Sequence, residues 1–378
     1  MAGVPKRVMV CPLDWGLGHA SRMIPVISRY RNAGYQVFIG GSGKSGMLLK
    51  NTFPGLTFIH LPSPEIRYAS KGVWLIPALI FQIPALLISV FREHNQIRQI
   101  IKDYEIDIVI SDNRYGLFSK KAYCILVTHQ VSPSLPYFIR WAEVPLHLIL
   151  RILLLRFHAC WVPDFPDPRN NLSGRLSHRF RLPGNARYIG ILSRFNDVAD
   201  MEIENTGKRY ELVIIVSGPE PQRKIFRDLA ISEAIKMTGR VLIITGSVEN
   251  EALTGINKHP HIEVVPHLEA AVFRQVLLQA GIIVCRSGYS GIMDLVSLGR
   301  SAILVPTPGQ CEQEYLAEYL SQKGWFSFIP QQAFSLEQVL KINQNVSCND
   351  RPHWSGMEDS LVIPLSDQEN GDHSQKSN

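Results

Sequence analysis

Short, nearly continuous apolar runs alternate with helix-length segments along most of the chain; the alternation then lapses and begins again. In the first half, Arg7–Cys11, Gln36–Gly40, Leu56–His60, Ile106–Ile110, Ala122–Val127 and His158–Val162 read as strands. Helices are expected to begin near Ser21, Lys44, Trp74 and Arg140. A strand with one wet face would alternate apolar and polar residues, whereas runs apolar on both faces belong to a parallel sheet covered on both sides. Residues 196–210 are polar and aperiodic, and the pattern restarts with Glu211–Ser217, Val241–Thr245, Ile262–Val265, Gly281–Cys285 and Ser301–Val305. Two successive βα series predict an α/β protein of two Rossmann-like, doubly wound domains facing each other across a cleft. The expected boundaries are 1–195 and 211–345, with a linker at 196–210 and a polar tail at 346–378 that is expected to be disordered. A length of 378 residues lets each half bury its own core.

The six cysteines (11, 124, 160, 285, 311 and 348) lie far apart, with no C-x-x-C pair and no Cys/His cluster at zinc spacing. That argues against a disulfide framework or a structural metal and for a reducing compartment. Met1–Lys6 runs into the first strand without a signal-peptide pattern, so a cytoplasmic location is expected.

Charge is concentrated. Residues 134–194 hold nine arginines, no lysine and three acids, an excess equal to the net +6 of the whole chain. No nucleic-acid-binding module accompanies them. The arginines stand among Leu, Ile, Trp and Phe, which suits an anionic membrane surface. Val73–Phe91 carries no charge over 19 residues, but a span there would separate Val8–Cys11 from Ile106–Ile110, two strands of one sheet. It is therefore rejected as a membrane span. Tyr137–Cys160 places Arg140, His147, Arg151 and His158 on one helical stripe, with Pro145 kinking the helix or marking its start. Two readings stand: a core helix with one wet edge, or an interfacial helix with Arg140, Trp141, Arg151 and Arg156 on lipid.

The polar residues at strand ends carry the chemistry. Trp15-Gly16-Leu17-Gly18-His19 joins the first strand to the first helix, on the edge where open α/β sheets bind ligands. It is not a dinucleotide fingerprint, since Ser21 replaces the third glycine. Gly43-Lys44-Ser45 is not a P-loop either, because Phe38 stands where its first glycine belongs. Gly18 would let backbone approach a ligand, and His19 is the candidate base. Asp112 ends the strand Ile106–Ile110 on the same edge, either orienting His19 or capping a helix. His129 ends the next strand with weaker claims. In the second half, Ser217-Gly218 with Arg223 forms a strand-to-helix turn that suits either a phosphate or nothing in particular. The most specific stretch is Cys285-Arg286-Ser287-Gly288 with Asp294, Gly299, Val305-Pro306 and Gln310-Cys311-Glu312-Gln313-Glu314. A strand, a small-residue loop and a helix start can cradle a diphosphate, while Asp294 could accept from ribose hydroxyls.

At these residues the sequence resembles the nucleotide-sugar glycosyltransferases of the GT-B fold. The resemblance is closest to the group holding the peptidoglycan N-acetylglucosaminyltransferase MurG and the monogalactosyldiacylglycerol synthases. It implies that Ser287 and Gly288 contact diphosphate, Asp294 the ribose, and Gln313 and Glu314 the transferred sugar, with Gln310 on the same donor side. The base would lie near His267-Leu268. The family often has glutamate at the position of Asp294 and glutamine at that of Glu314. The implied activity is inverting transfer of a hexose or N-acetylhexosamine from a UDP-sugar to an acceptor hydroxyl, possibly lipid-linked. No cofactor or metal is expected, His19 and Asp112 would be catalytic, and the location would be the inner face of the membrane. The rival readings are a nucleotide-sugar epimerase of the same fold and a non-catalytic membrane-anchoring subunit.

Overall fold

The computed structural model describes residues 6–63, 75–132, 135, 137–196, 210–246 and 259–345. Most of the expected linker and the expected disordered tail lie outside these residues. The first half runs β1 (Arg7–Cys11), α1 (Leu17–Asn32), β2 (Gln36–Gly41), α2 (Gly43–Thr52), β3 (Thr57–His60), α3 (Leu75–Asp103), β4 (Ile108–Asp112), β5 (Tyr123–Val127), α4 (Glu143–Leu154), β6 (Ala159–Val162), α5 (Arg175–His178) and β7 (Ala186–Tyr188). The second runs β8 (Leu212–Ile215), α6 (Gln222–Ala234), β9 (Val241–Ile244), β10 (Ile262–Val265), α7 (Ala270–Gln279), β11 (Ile282–Cys285), α8 (Tyr289–Ser297), β12 (Ile303–Leu304), α9 (Cys311–Gln322), β13 (Ser327–Phe328) and α10 (Leu336–Asn345).

Each half builds one sheet, ordered β3-β2-β1-β4-β5-β6-β7 and β10-β9-β8-β11-β12-β13, with every strand pair parallel. The both-faces-apolar pattern has its cause in β1. Val8 and Val10 enter one buried cluster and Met9 and Cys11 another, so neither face of the strand meets water. Burying one such aliphatic side chain contributes roughly 1.5–3 kcal/mol. The cluster holding Val8 and Val10 continues through Trp161 and Leu176 to Leu316 and Leu320, so the two halves share apolar packing.

The order of the strands also says where a ligand belongs. From β1 the chain winds outward through β2 and β3, then returns to place β4 on the other side of β1. In the second sheet, β8 is followed outward by β9 and β10 before β11 returns beside it. The connections at such a reversal diverge and open a crevice outside the carboxyl ends of the two strands.

Several boundaries differ from expectation. β4 runs on to Asp112, and Asn113 follows with φ of 52°, so no helix begins there and Asp112 is not a helix cap. Residues Tyr137–Ala142 form a kinked 3-10 turn before α4, which places Pro145 in the first turn of a helix starting at Glu143. The supposed basic stripe is divided. His147 is buried, donates from Nδ1 to Val131 O at 3.1 Å and stacks on Phe180. His158 accepts from Cys124 N at 3.0 Å. What faces outward on this segment is apolar: Trp141 is 76% exposed and Ile152 60%, with Val144, Leu148, Ile149 and Leu155 also exposed. Arg140 and Arg156 are exposed beside them, while Arg151 is half-buried and donates to Arg181 O. Among the described residues no helix is long and apolar enough to cross a membrane.

Candidate functional site

The two sheet reversals open onto one cleft of about 670 Å³. The first half contributes Gly18, His19, Arg22, Lys44, Asn113 and His129; the second contributes Ser217, Gly218, His267, Gly288, Asp294 and Glu312. Gly16, at the head of the turn after β1, has φ of 123°, a conformation that glycine alone adopts at little cost. A Cβ on Gly18 would lie 3.1 Å from the hydroxyl of Ser290, so the starts of α1 and α8 pack closely there. Two helix N-termini thus open on the cleft from opposite halves, and both present positive partial charge to it.

His19 and Asp112 come together as the sequence suggests. His19 Nδ1 lies 2.9 Å from Asp112 Oδ2, and Asp112 is fully buried. Arg22, one turn along α1, completes the group. Its Nε donates to Asp112 Oδ2 at 2.8 Å, its Nη2 to Asp112 Oδ1, and Nη2 also lies 2.8 Å from His19 Nδ1. Burial and then the charge of Arg22 hold His19 below its ordinary proton affinity, against the pull of Asp112. Burial opposes charge on Asp112 itself, yet Arg22 and His19 keep its carboxyl below the usual carboxylate range. The imidazole is therefore neutral at neutral pH and held by a charged carboxylate, the state in which a ring nitrogen can accept a proton.

His129 has stronger claims than its sequence suggested. Its Nε2 lies 2.8 Å from Glu312 Oε1 and its ring stacks on Tyr289 at 4.2 Å, while Nδ1 lies 3.3 Å from Arg22 Nη1. Gln130 donates to the other oxygen of Glu312. These contacts cross from the first half to the start of α9, so the His19–Arg22 cluster and the start of α9 are joined across the cleft.

On the donor side the expected residues divide. Ser217, Gly218, Arg223, His267, Leu268, Arg286, Gly288, Asp294, Gln310 and Gln313 line the cleft. Ser287 does not: it is fully buried and its hydroxyl donates to Gln313 O at 2.8 Å, fastening the loop to α9. Arg286 reaches the cleft wall, but its guanidinium donates to the carbonyls of Val305, Pro306 and Gln222 under the ring of Phe226. These bonds brace the loops around it. Arg223 is likewise engaged, donating to Glu220 and to Thr245 O. Glu314 turns away and accepts from Gly309 N at 2.8 Å, so the acid that faces the cleft from this helix is Glu312. Gln313 accepts from Thr307 N at 2.9 Å.

Asp294 is buried and already bonded. It accepts from Ser193 Oγ at 2.8 Å and from Arg194 Nε at 2.9 Å, both on the segment that leaves the first half. Burial raises its proton affinity, and Arg194 with Ser193 offsets only part of that. Arg194 lines the cleft between Asp294 and His267, whose proton affinity burial and then Arg194 depress. Among the described residues no group of His, Cys, Asp and Glu is arranged to hold a metal ion.

Three residues were missed from sequence. Arg22 sits in an apolar helical stretch, and its only mark is its i,i+3 spacing from His19. Arg194 and Ser193 sit at the end of the first half, where nothing local signals a partner one hundred residues away.

Comparison with known proteins bears on the fold and the class of enzyme. Residues 212–351 match the model of the glycosyltransferase family 28 C-terminal domain. An uncharacterized glycosyltransferase of Methanosarcina acetivorans is 23% identical over 84% of both chains. A UDP-N-acetylglucosamine–N-acetylmuramyl-(pentapeptide) pyrophosphoryl-undecaprenol N-acetylglucosamine transferase of Actinobacillus pleuropneumoniae is 25% identical over 92% of this chain and 91% of its own. Among solved structures, the glycotransferase of kitacinnamycin superposes with a TM-score of 0.61 at 13% identity, covering 92% of this chain and 91% of its own. With two parallel α/β sheets facing one cleft and a family 28 domain as its second half, the chain is a GT-B glycosyltransferase homologous to the MurG-like N-acetylglucosaminyltransferases.

Proposed function

We propose that this glycosyltransferase moves a hexose or N-acetylhexosamine from a UDP-sugar to a hydroxyl of a lipid-linked acceptor, with inversion at the sugar carbon. The observation that carries the reading is the His19–Asp112 pair facing Gly288 and Asp294 across one cleft. The acceptor oxygen bonds to C1 of the sugar as the bond from C1 to the diphosphate breaks. His19 Nε2 takes the acceptor's proton, and Asp112 stabilises the imidazolium that results. The diphosphate leaves toward the start of α8, where free amides and the helix dipole favour negative charge. This mechanism calls for no resident metal.

On the donor side, the nucleobase lies by His267-Leu268, the ribose by Asp294 once Arg194 yields, and the sugar by Gln313 and Glu312. Glu312 takes the sugar-reading role that Glu314 cannot reach. The acceptor half turns the apolar face of Trp141, Leu148, Ile152 and Leu155 outward, rimmed by Arg140 and Arg156. Such a face suits the inner leaflet of a membrane carrying anionic lipid, where a lipid-linked acceptor resides. The test is a donor panel: UDP and UDP-sugars should raise the melting temperature more than GDP or TDP and their sugars. Equal stabilisation by all three nucleotides would remove the UDP assignment.

A further inference from the structure

Arg22 is 2% exposed and stands between Ala20 and Met23 on the buried face of α1. A guanidinium in such a place is costly unless its charge is met. It is met by both oxygens of Asp112 in a fork, with His129 Nδ1 3.3 Å from Nη1, while Nη2 also stands 2.8 Å from His19 Nδ1. Among the described residues, charged and titratable groups face His19 from each element packed against it. Arg22 faces it from its own helix, Asp112 from β4, and His129 from the loop after β5. Glu312 faces it from α9, and Lys44 from α2 shares the cleft. Tyr115, which also feels Asp112 and Arg22, keeps its proton in a buried site.

We propose that Arg22 is the positioning residue for the base: its fork holds Asp112 so that His19 faces a neutral ion pair rather than a bare carboxylate. The inference rests on the reading of His19 as the base. Nδ1 has two neighbours, Asp112 Oδ2 and Arg22 Nη2, and they ask opposite things of it. Only the form with the proton on Nδ1, donated to Asp112, leaves the Nε2 lone pair for the acceptor hydroxyl. A bare buried carboxylate at 2.9 Å would draw a second proton onto the ring and fill that lone pair. Arg22 prevents this twice over. It shares the carboxylate's charge, and it sets a cation against Nδ1 that repels an imidazolium. Asp112 still orients the ring, so the base keeps its aim without being protonated before the substrate arrives.

The proposal is tested without substrate, by following the ring nitrogens and carbons of labelled histidines by NMR against pH, with the His19 signal assigned by its loss in His19→Gln. Wild-type His19 should carry its single proton on Nδ1 at neutral pH. Arg22→Met should raise its titration midpoint by at least about one unit. Because that variant leaves a buried carboxylate, the comparison is repeated in a background that has none. Arg22→Met/Asp112→Asn should titrate higher than Asp112→Asn alone, the effect of losing the Arg22 charge, and below Arg22→Met. A midpoint that does not move when Arg22 is removed from the Asp112→Asn background overturns the proposal, as does a wild-type ring protonated on both nitrogens at neutral pH. Failure of the base reading would look different: turnover that survives His19→Ala, whatever the titrations show.

Discussion

Nδ1 of His19 lies 2.9 Å from Oδ2 of Asp112, although 93 residues separate them in the chain. The contact is a product of sheet order. β4 returns beside β1, pairing Cys11 with Ser111, so the loop after one strand and the last residue of the other share an edge. If this pair is the acid–base machinery, His19→Ala lowers turnover by roughly 10²–10⁴ and leaves UDP affinity within a few-fold. Steady-state kinetics beside calorimetry checks both halves of the statement. Turnover within a few-fold of wild type would move the base to His129.

The pH profile follows from the direction of the His19 shift. The base works while neutral, so activity is present above its proton affinity and lost as pH falls through it. Burial and Arg22 place that value below the ordinary 6.5. The acid limb of kcat/KM should therefore be centred below 6.5. An acid limb centred above 7 would contradict the electrostatics of the site.

Asp294 ties the donor side to the segment leaving the first half. Asp294→Ala removes a charged acceptor and should cost ~1.5–3 kcal/mol of UDP binding, roughly a 10- to 150-fold loss. Calorimetry reads this directly, with circular dichroism confirming the fold. An unchanged affinity would mean that Arg194, not nucleotide, is the lasting partner of Asp294.

The fold and half of the site were legible in the sequence, and the rest was hidden for definite reasons. β1 announced a two-sided parallel sheet because Val8, Met9, Val10 and Cys11 are all apolar and all buried. β7 and β13 went unseen because three and two residues carry no periodicity. His19 and Asp112 were findable because they stand at or just after strand ends on the edge where open α/β sheets bind ligands, and Asp294 because it lies one turn into the helix after the Cys285–Gly288 loop. Glu312 and Glu314 could not be told apart. They differ by two positions, which on a helix is most of the way to the opposite side, and the start of α9 was not known to that precision. Arg22 was lost among apolar neighbours, since a pattern of burial says nothing about a charge paired across the fold.

Glu312→Gln tests the sugar side. It keeps the shape of the side chain but removes its charge and turns one of its two acceptor oxygens into a donor, so binding of UDP alone should hold while the added affinity for the UDP-sugar falls. The loss should reach about tenfold or more, as for one hydrogen bond to a charged group. A parallel loss of UDP affinity would show Glu312 acting through the packing of α9 instead.

The outward face of α4 makes a separate prediction. Leu148→Ser with Ile152→Ser should leave the melting temperature almost unchanged, since both side chains already face water, but weaken binding to anionic vesicles. Replacing Arg140 and Arg156 with glutamine should lower partitioning by roughly 30-fold, at ~1 kcal/mol per basic residue. Co-sedimentation that is equal on neutral and anionic vesicles, and indifferent to both sets of changes, would separate the enzyme from the membrane.

The most direct measurement follows one labelled sugar. UDP-sugars radiolabelled in the sugar are incubated with the enzyme and a lipid extract, and the label is counted in the lipid phase while UDP release is measured. Label should enter the lipid phase in step with UDP release, and His19→Ala should abolish both. Label that stays in the aqueous phase as a different UDP-sugar, with no UDP released, would make the enzyme an epimerase and contradict the account.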